Sequence, residues 1–289
     1  MANPDVTNAN VQTTGRDTKY NGIQLVLTRR FSKGLQLNAN YSYGTGWQST
    51  LYSLHRDYVW NEMSYSNSTQ GGPVNHMFVT NWVYELPFGQ GKPFAGNVGR
   101  GMQRLVGNWS FSGTVRLQSG RKLDFGNVRM VGFDKNALQG FYGTRIVTDP
   151  ANQYRSLVYM LPQDIIDNTI KAYSVTATGY SSLGAPTGRY FAPANGPDCM
   201  ETVASGYGDC GGRSVVITGP RLFRTDISII KEVPIVRQVN FRFEWMIFNL
   251  FNNTNFYPSN YVGATADSYQ TTTASDQSRT MQLAFRVTW

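Results

Sequence analysis

The chain has 289 residues, with 26 Lys and Arg against 18 Asp and Glu, a net charge of +8. The cations are spread singly, Arg29-Arg30 and Arg121-Lys122 being the densest pairs, and no basic block interleaved with aromatics marks a nucleic-acid partner. No apolar run reaches the roughly 18 residues of a transmembrane helix, whereas the mean hydropathy of −0.35 is blind to a barrel, whose lipid-facing and lumen-facing residues cancel.

Seven strands are predicted in chain order. The first, 20–31, runs into a tight Ser32-Lys33-Gly34 turn. The second, 34–46, places Leu35, Leu37, Ala39, Tyr41 and Tyr43 on one face and Gln36, Asn38, Asn40 and Ser42 on the other. A long polar loop, 47–76, leads to the third strand, 77–87, with Phe78, Trp82, Tyr84 and Leu86 on one face. A Gly/Pro connection, 88–107, precedes the fourth strand, 108–119, where Trp109, Phe111, Gly113, Val115 and Leu117 alternate with Ser110, Ser112, Thr114, Arg116 and Gln118. The excursion 120–220 is too long to be structureless filler. It is expected to hold a short helix near Gln163–Ala172, after Pro162 and carrying Ile165, Ile166 and Ile170. The fifth strand, 221–232, turns quickly into the sixth, 239–251, whose apolar face is Val239, Phe241, Phe243, Trp245 and Ile247. A polar loop, 252–278, leads to the last strand, 279–289, where Met281, Leu283, Phe285, Val287 and Trp289 recur at every second position.

One face of each strand is apolar and the other polar. A half-buried soluble β-sandwich alternates in this way, and so do tilted strands of about ten residues crossing an outer-membrane wall. Long apolar faces, aromatics towards the strand ends and short turns opposite long loops favour the membrane wall. The expected fold is therefore all-β: an antiparallel transmembrane barrel wall with short periplasmic turns and long extracellular loops at about 47–76, 120–220 and 252–278. The first and last strands both run towards the turn end, and a closed antiparallel barrel needs an even strand number. The start MANPDVTNAN shows no secretion signal. The expectation is a partial wall of about 7–9 strands, with signal peptide and any plug domain lying outside the chain.

Catalytic and metal motifs are absent from the sequence. His55-Arg56-Asp57 resembles a kinase triplet without its phosphate loop or strand lysine, and His55 and His76 have no G-x-S-x-G partner. No H-E-x-x-H, EF-hand or dinucleotide motif occurs, so no enzyme activity, cofactor or metal is expected. Cys199 and Cys210 enclose a polar, Gly-bearing segment; they are either unrelated thiols or a small disulfide-closed loop of an oxidising compartment, and the spacing fits the loop. On the polar faces, Arg116, Arg224, Asp226, Arg242 and Glu244 either line a lumen that meets plug or ligand, or pair across strands to satisfy wall charges.

Four stretches carry a family resemblance: Tyr84 to Lys92 (YELPFGQGK), Trp109 to Gly120 (WSFSGTVRLQSG), Gly219-Pro220 with Arg224, Asp226, Ser228 and Lys231, and Glu244 to Phe256 (EWMIFNLFNNTNF). In order and spacing they resemble the C-terminal barrel wall of TonB-dependent receptors, in the Oar-like branch whose members carry a carboxypeptidase-regulatory-like domain. The resemblance implies location in the cell outer membrane, in contact with its lipid. It also implies a 22-stranded barrel, an upstream plug and TonB box, and energy-driven uptake of an unidentified bulky extracellular ligand. The aromatic-ended last strand, with Phe285, Val287 and Trp289, resembles the signal read by the outer-membrane barrel assembly machinery. A small outer-membrane barrel hydrolase and a soluble β-sandwich adhesin are the alternatives.

Overall fold

The computed structural model describes residues 18–48, 74–126, 128–193, 196–199, 215–236, 239–271, 274 and 278–289. Seven antiparallel strands form one sheet: β1 Thr18–Ser32, β2 Leu35–Gln48, β3 His76–Glu85, β4 Trp109–Gln118, β5 Leu222–Val236, β6 Val239–Phe248 and β7 Thr280–Thr288. Their order in the sheet is their order in the chain, and the sheet is open, with β1 and β7 at its edges.

Local chemistry explains the ends. Between β1 and β2, Lys33 (φ 52°) and Gly34 (φ 79°) both adopt left-handed backbone, the two-residue turn whose twist suits a hairpin. The sixth strand ends three residues earlier than the periodicity suggests. Asn249 turns left-handed at φ 54°, its side-chain oxygen accepts from Asn253 N at 3.0 Å, and its amide donates to Asn253 O at 2.8 Å. The fifth strand runs on to Val236, through a register shift at Pro234, where a missing N–H is tolerated beside the turn.

The pairing register stacks the alternating sets into two continuous faces. One row runs Leu35, Tyr84, Phe111, Ile229, Trp245, Leu283; another runs Tyr41, Phe78, Leu117, Phe223. The opposite face carries Asn38, Asn81, Thr114 and Asp226 in one row and Ser110, Ile230 and Glu244 in another. Nothing among the described residues covers the outer part of the apolar face. Leu27 is 61% exposed, Leu283 58% and Phe285 66%. A β-sandwich would bury these side chains under a second sheet, so the sandwich alternative lacks its second layer. Aromatics are less confined to strand ends than expected. Trp82 lies mid-wall across Gly113, where an added Cβ would come within 2.6 Å of the indole and 2.9 Å of the Asp226 carbonyl.

The chain is mostly β, and among the described residues three α-helices stand beside the strands, α1 Arg100–Val106, α2 Lys135–Phe141 and α3 Gln163–Tyr173, with a short 3-10 turn at Ala266–Tyr269. The expected helix is α3, one residue longer than the sequence suggests. It buries Ile165, Ile166, Thr169 and Ala172 on one face, with Asp164 in its first turn and Lys171 in its last complementing the helix dipole. The second helix starts where the Asp134 carboxylate accepts from Ala137 N at 2.7 Å. The first sits at the turn end inside the Gly/Pro connection and buries none of its residues. Gly101 inside it and the Gly-rich connection on either side hide it from propensity. What fixes it is the Trp109 indole, which donates to the Leu105 carbonyl at 2.9 Å.

The large excursion between β4 and β5 folds into a cap with its own core. Short two-stranded ribbons pair Lys122–Asp124 with Val216–Thr218 and Val128–Val131 with Tyr190–Pro193. Leu138, Met160, Ile165, Ile166, Phe191, Val215 and Ile217 are all at most 2% exposed. The loop after β6 joins this core through Tyr269, Phe256, Tyr261 and Val262. Thr271 N donates to Val158 O at 2.8 Å, and Tyr142 Oη donates to Ser259 O at 2.6 Å. Two loops distant in sequence thus make one folded unit at the loop end of the sheet.

Candidate functional site

All five polar residues singled out from the sequence lie on the polar face, in two groups at different heights. In the upper group, Arg224 Nε donates to both Asp226 oxygens at 3.1 Å, and Asp226 Oδ1 also accepts from Asn249 N at 2.7 Å. Asp226 therefore has two tasks. It neutralises an arginine on its own strand, and it pins the turn that ends β6. Arg116 stands directly opposite Arg224 across the β4–β5 pair, a like-charge juxtaposition that by itself destabilises a sheet. Arg116 donates to Gln118 at 2.9 Å.

The lower group is a three-membered chain. Arg242 meets Glu232 at 3.4 Å and Glu244 at 3.3 Å. Nearby, Lys92 meets Glu85 at 3.2 Å, tying the connection after β3 back to that strand. Glu85, Glu232, Glu244, Lys92 and Arg242 all line one cavity of about 470 Å³. These pairs are partly exposed, so each contributes at most about 1 kcal/mol. They set the charge pattern of the face more than its stability. Glu232 continues the spacing of Arg224 and Asp226 at every second residue, so the period could have revealed it; Lys92 lies in an aperiodic loop and could not be found that way.

Two residues on the apolar face near the turn end carry charge. Lys231 is buried, its Nζ donates to the Gly107 carbonyl and lies 5.2 Å from the centre of the Trp109 ring. The stem packs among apolar neighbours while the ammonium finds a carbonyl and a ring face. Arg29 folds back to donate to the Ser32 carbonyl at 3.2 Å.

The cap holds the buried titratable groups. Burial pushes the Tyr173 hydroxyl up to about 12, with Tyr261 adding to the shift, and burial also raises Tyr142 and Tyr269. Arg189 grips Asp164 with two hydrogen bonds of 2.9 and 3.0 Å, joining α3 to the Tyr190–Pro193 strand. Cys199 is buried beside Ala172, Tyr190 and Ala192 and is disulfide-bonded; Cys210 lies outside the described residues, as does His55. His76 packs at the loop end of the sheet, 2.8 Å from Tyr41 Oη and 4.8 Å from the Tyr43 ring centre. Among the described residues no group of three or more His, Cys, Asp or Glu is placed to hold a metal ion. At the outer edge, Phe285, Val287 and Trp289 are exposed, Trp289 at 91%.

A single-layer antiparallel sheet, apolar on one side, charged on the other and capped by folded loops at one end, is the wall of a membrane barrel. Residues 2–282 match the family described as an outer membrane beta barrel domain, and the chain belongs to that family. It is accordingly a protein of the cell outer membrane. No curated protein and no solved structure matched the chain.

Proposed function

We propose that the chain is barrel wall of a TonB-dependent receptor of the Oar-like branch, with no catalytic role of its own. In this reading the polar face lines the lumen and the cap closes its extracellular mouth. Partners in the complete receptor are a plug domain and TonB, and a bulky ligand enters from outside. Phe285, Val287 and Trp289 present the assembly signal to the barrel assembly machinery.

The observation that supports the reading best is the cap. Two loops are built around a shared hydrophobic core at the end of a charged face. A wall that only has to span lipid gains nothing from such a unit, whereas a receptor needs a shaped, ordered mouth. The family-like motifs also fall at structurally specific places. The Tyr84–Lys92 run closes β3 with the Glu85–Lys92 pair, Gly113 in the Trp109–Gly120 run makes room for Trp82, and Asn249 in the Glu244–Phe256 run forms the turn held by Asp226.

An immunoblot of native outer membranes with an antibody against residues 252–278, after cross-linking to TonB, tests the reading. A band well above 32.3 kDa that shifts further with TonB is expected. A heat-modifiable band near the mass of this chain, unaffected by TonB, would overturn it.

A further inference from the structure

A second cavity, of about 330 Å³, lies where the upper polar face meets the roots of both cap loops. Arg116 reaches it from β4, Arg121 from the start of the excursion and Arg221 from its end. Among the described residues no carboxylate lines it and none of these three arginines has an ion-pair partner. The neighbouring Arg224 has its charge met by both oxygens of Asp226, so Asp226 is committed elsewhere. The lower cavity of the same face is lined by three carboxylates and two cations, with its charges paired. The face is therefore close to balanced below and three charges positive at the mouth.

Three exposed guanidiniums that line one cavity, with no carboxylate beside them among the described residues, repel one another through screening solvent, and the Arg116–Arg224 register adds to that cost. The arrangement becomes favourable once an anion enters, because each guanidinium can present paired donors to a carboxylate or phosphate. The rest of the lining suits a polar ligand: Ser119 and Thr254 supply hydroxyls and Tyr257 a ring. We propose that this cavity is an anion site at the barrel mouth, taking a carboxylate- or phosphate-bearing head group. Its volume lies at the lower end of the roughly 300–1,000 Å³ range of ligand pockets, so it grips one end of a larger molecule. The proposal rests on the transport reading for its biological meaning, by naming the ligand class; its chemistry is independent of that reading.

The test uses full-length protein purified from native outer membranes in neutral detergent, with citrate, inorganic phosphate and the uncharged sugar trehalose as probes, followed by calorimetry at low and high salt. Saturable binding of citrate or phosphate, but not trehalose, is expected. The affinity should fall about tenfold or more in R121Q/R221Q and weaken with salt. Preference for citrate assigns a carboxylate and preference for phosphate a phosphoryl group. A second measurement needs no variant: arginine modification by phenylglyoxal, mapped by mass spectrometry, should be blocked by the bound anion at Arg116, Arg121 and Arg221 and unchanged at the exposed Arg100. No saturable anion binding, or equal protection of all arginines, overturns the site. Anion binding by a protein that never engages TonB keeps the site and removes the transport reading; a TonB-linked receptor that binds no anion does the reverse.

Discussion

Replacing Phe285 by Arg tests which face of the wall meets lipid. Phe285 sits on β7 opposite Phe243, with ring centres 5.4 Å apart, and 6.1 Å from the Phe241 ring. A strand rising about 3.3 Å per residue and tilted about 45° gains about 2.3 Å of membrane depth per residue. The nine residues of β7 then cover about 21 Å of an apolar band about 25 Å tall. Phe285 is one residue from the strand centre at Ala284, within about 2 Å of mid-depth. An arginine there loses two ring neighbours and puts a guanidinium into hydrocarbon, at a cost of about 2–4 kcal/mol. That lowers the folded-to-unfolded ratio by roughly 30- to 1,000-fold. Asn240, opposite Thr288 on the polar face, should accept arginine within about 0.5 kcal/mol. The assay compares heat-modifiable protein in outer membranes and the urea midpoint in lipid vesicles for the two variants. Equal losses, or a larger loss for Asn240→Arg, would refute the assignment of faces.

Other perturbations follow from the same contacts. Asp226→Ala removes the carboxylate that accepts the Asn249 N–H and meets Arg224 opposite Arg116, and should cost about 1–3 kcal/mol in urea unfolding; adding Arg224→Gln should restore part of it. Gly113→Val drives a side chain into the Trp82 ring and should cost about 1–3 kcal/mol while changing the tryptophan emission; an unchanged spectrum would contradict the packing. The folded cap holds Tyr173, Tyr142 and Tyr269 protonated where an unfolded cap would release the protons near pH 10. The Tyr173 contribution is complete below about pH 10 and lost as the pH climbs towards about 12, so near-UV circular dichroism should show alkaline loosening of the cap, displaced to higher pH by Tyr173→Phe. Cys199→Ser should cost the cap about 2–4 kcal/mol and speed its proteolysis without changing heat modifiability of the sheet.

Most of the wall was legible because a strand's two faces are a local property of the backbone. Side chains alternate by geometry, so Phe241, Phe243 and Trp245 fall on one face and Arg242 and Glu244 on the other wherever the strand is placed. The helix α3 was legible for the same reason, through the spacing of its isoleucines. The strand ends were less so. The sequence reads as strand through Phe251, yet the strand ends at Phe248 because a carboxylate from another strand accepts the Asn249 N–H and holds a turn there.

What the sequence determined by itself is the class of element, the identity of the two faces and the presence of a cap too long to be idle. What only the tertiary structure decided is which distant segments meet. Gln118 pairs with Leu222 across the whole excursion, the loop after β6 joins the core of the loop before β5, and Arg121 and Arg221 arrive at one cavity with Arg116. Arg121 and Arg221 stand just beyond the strands, beside Gly120 and Pro220, where no period constrains a side chain's direction. Their meeting is set by non-local pairing and by burial of a shared core, and no pattern within either segment encodes it.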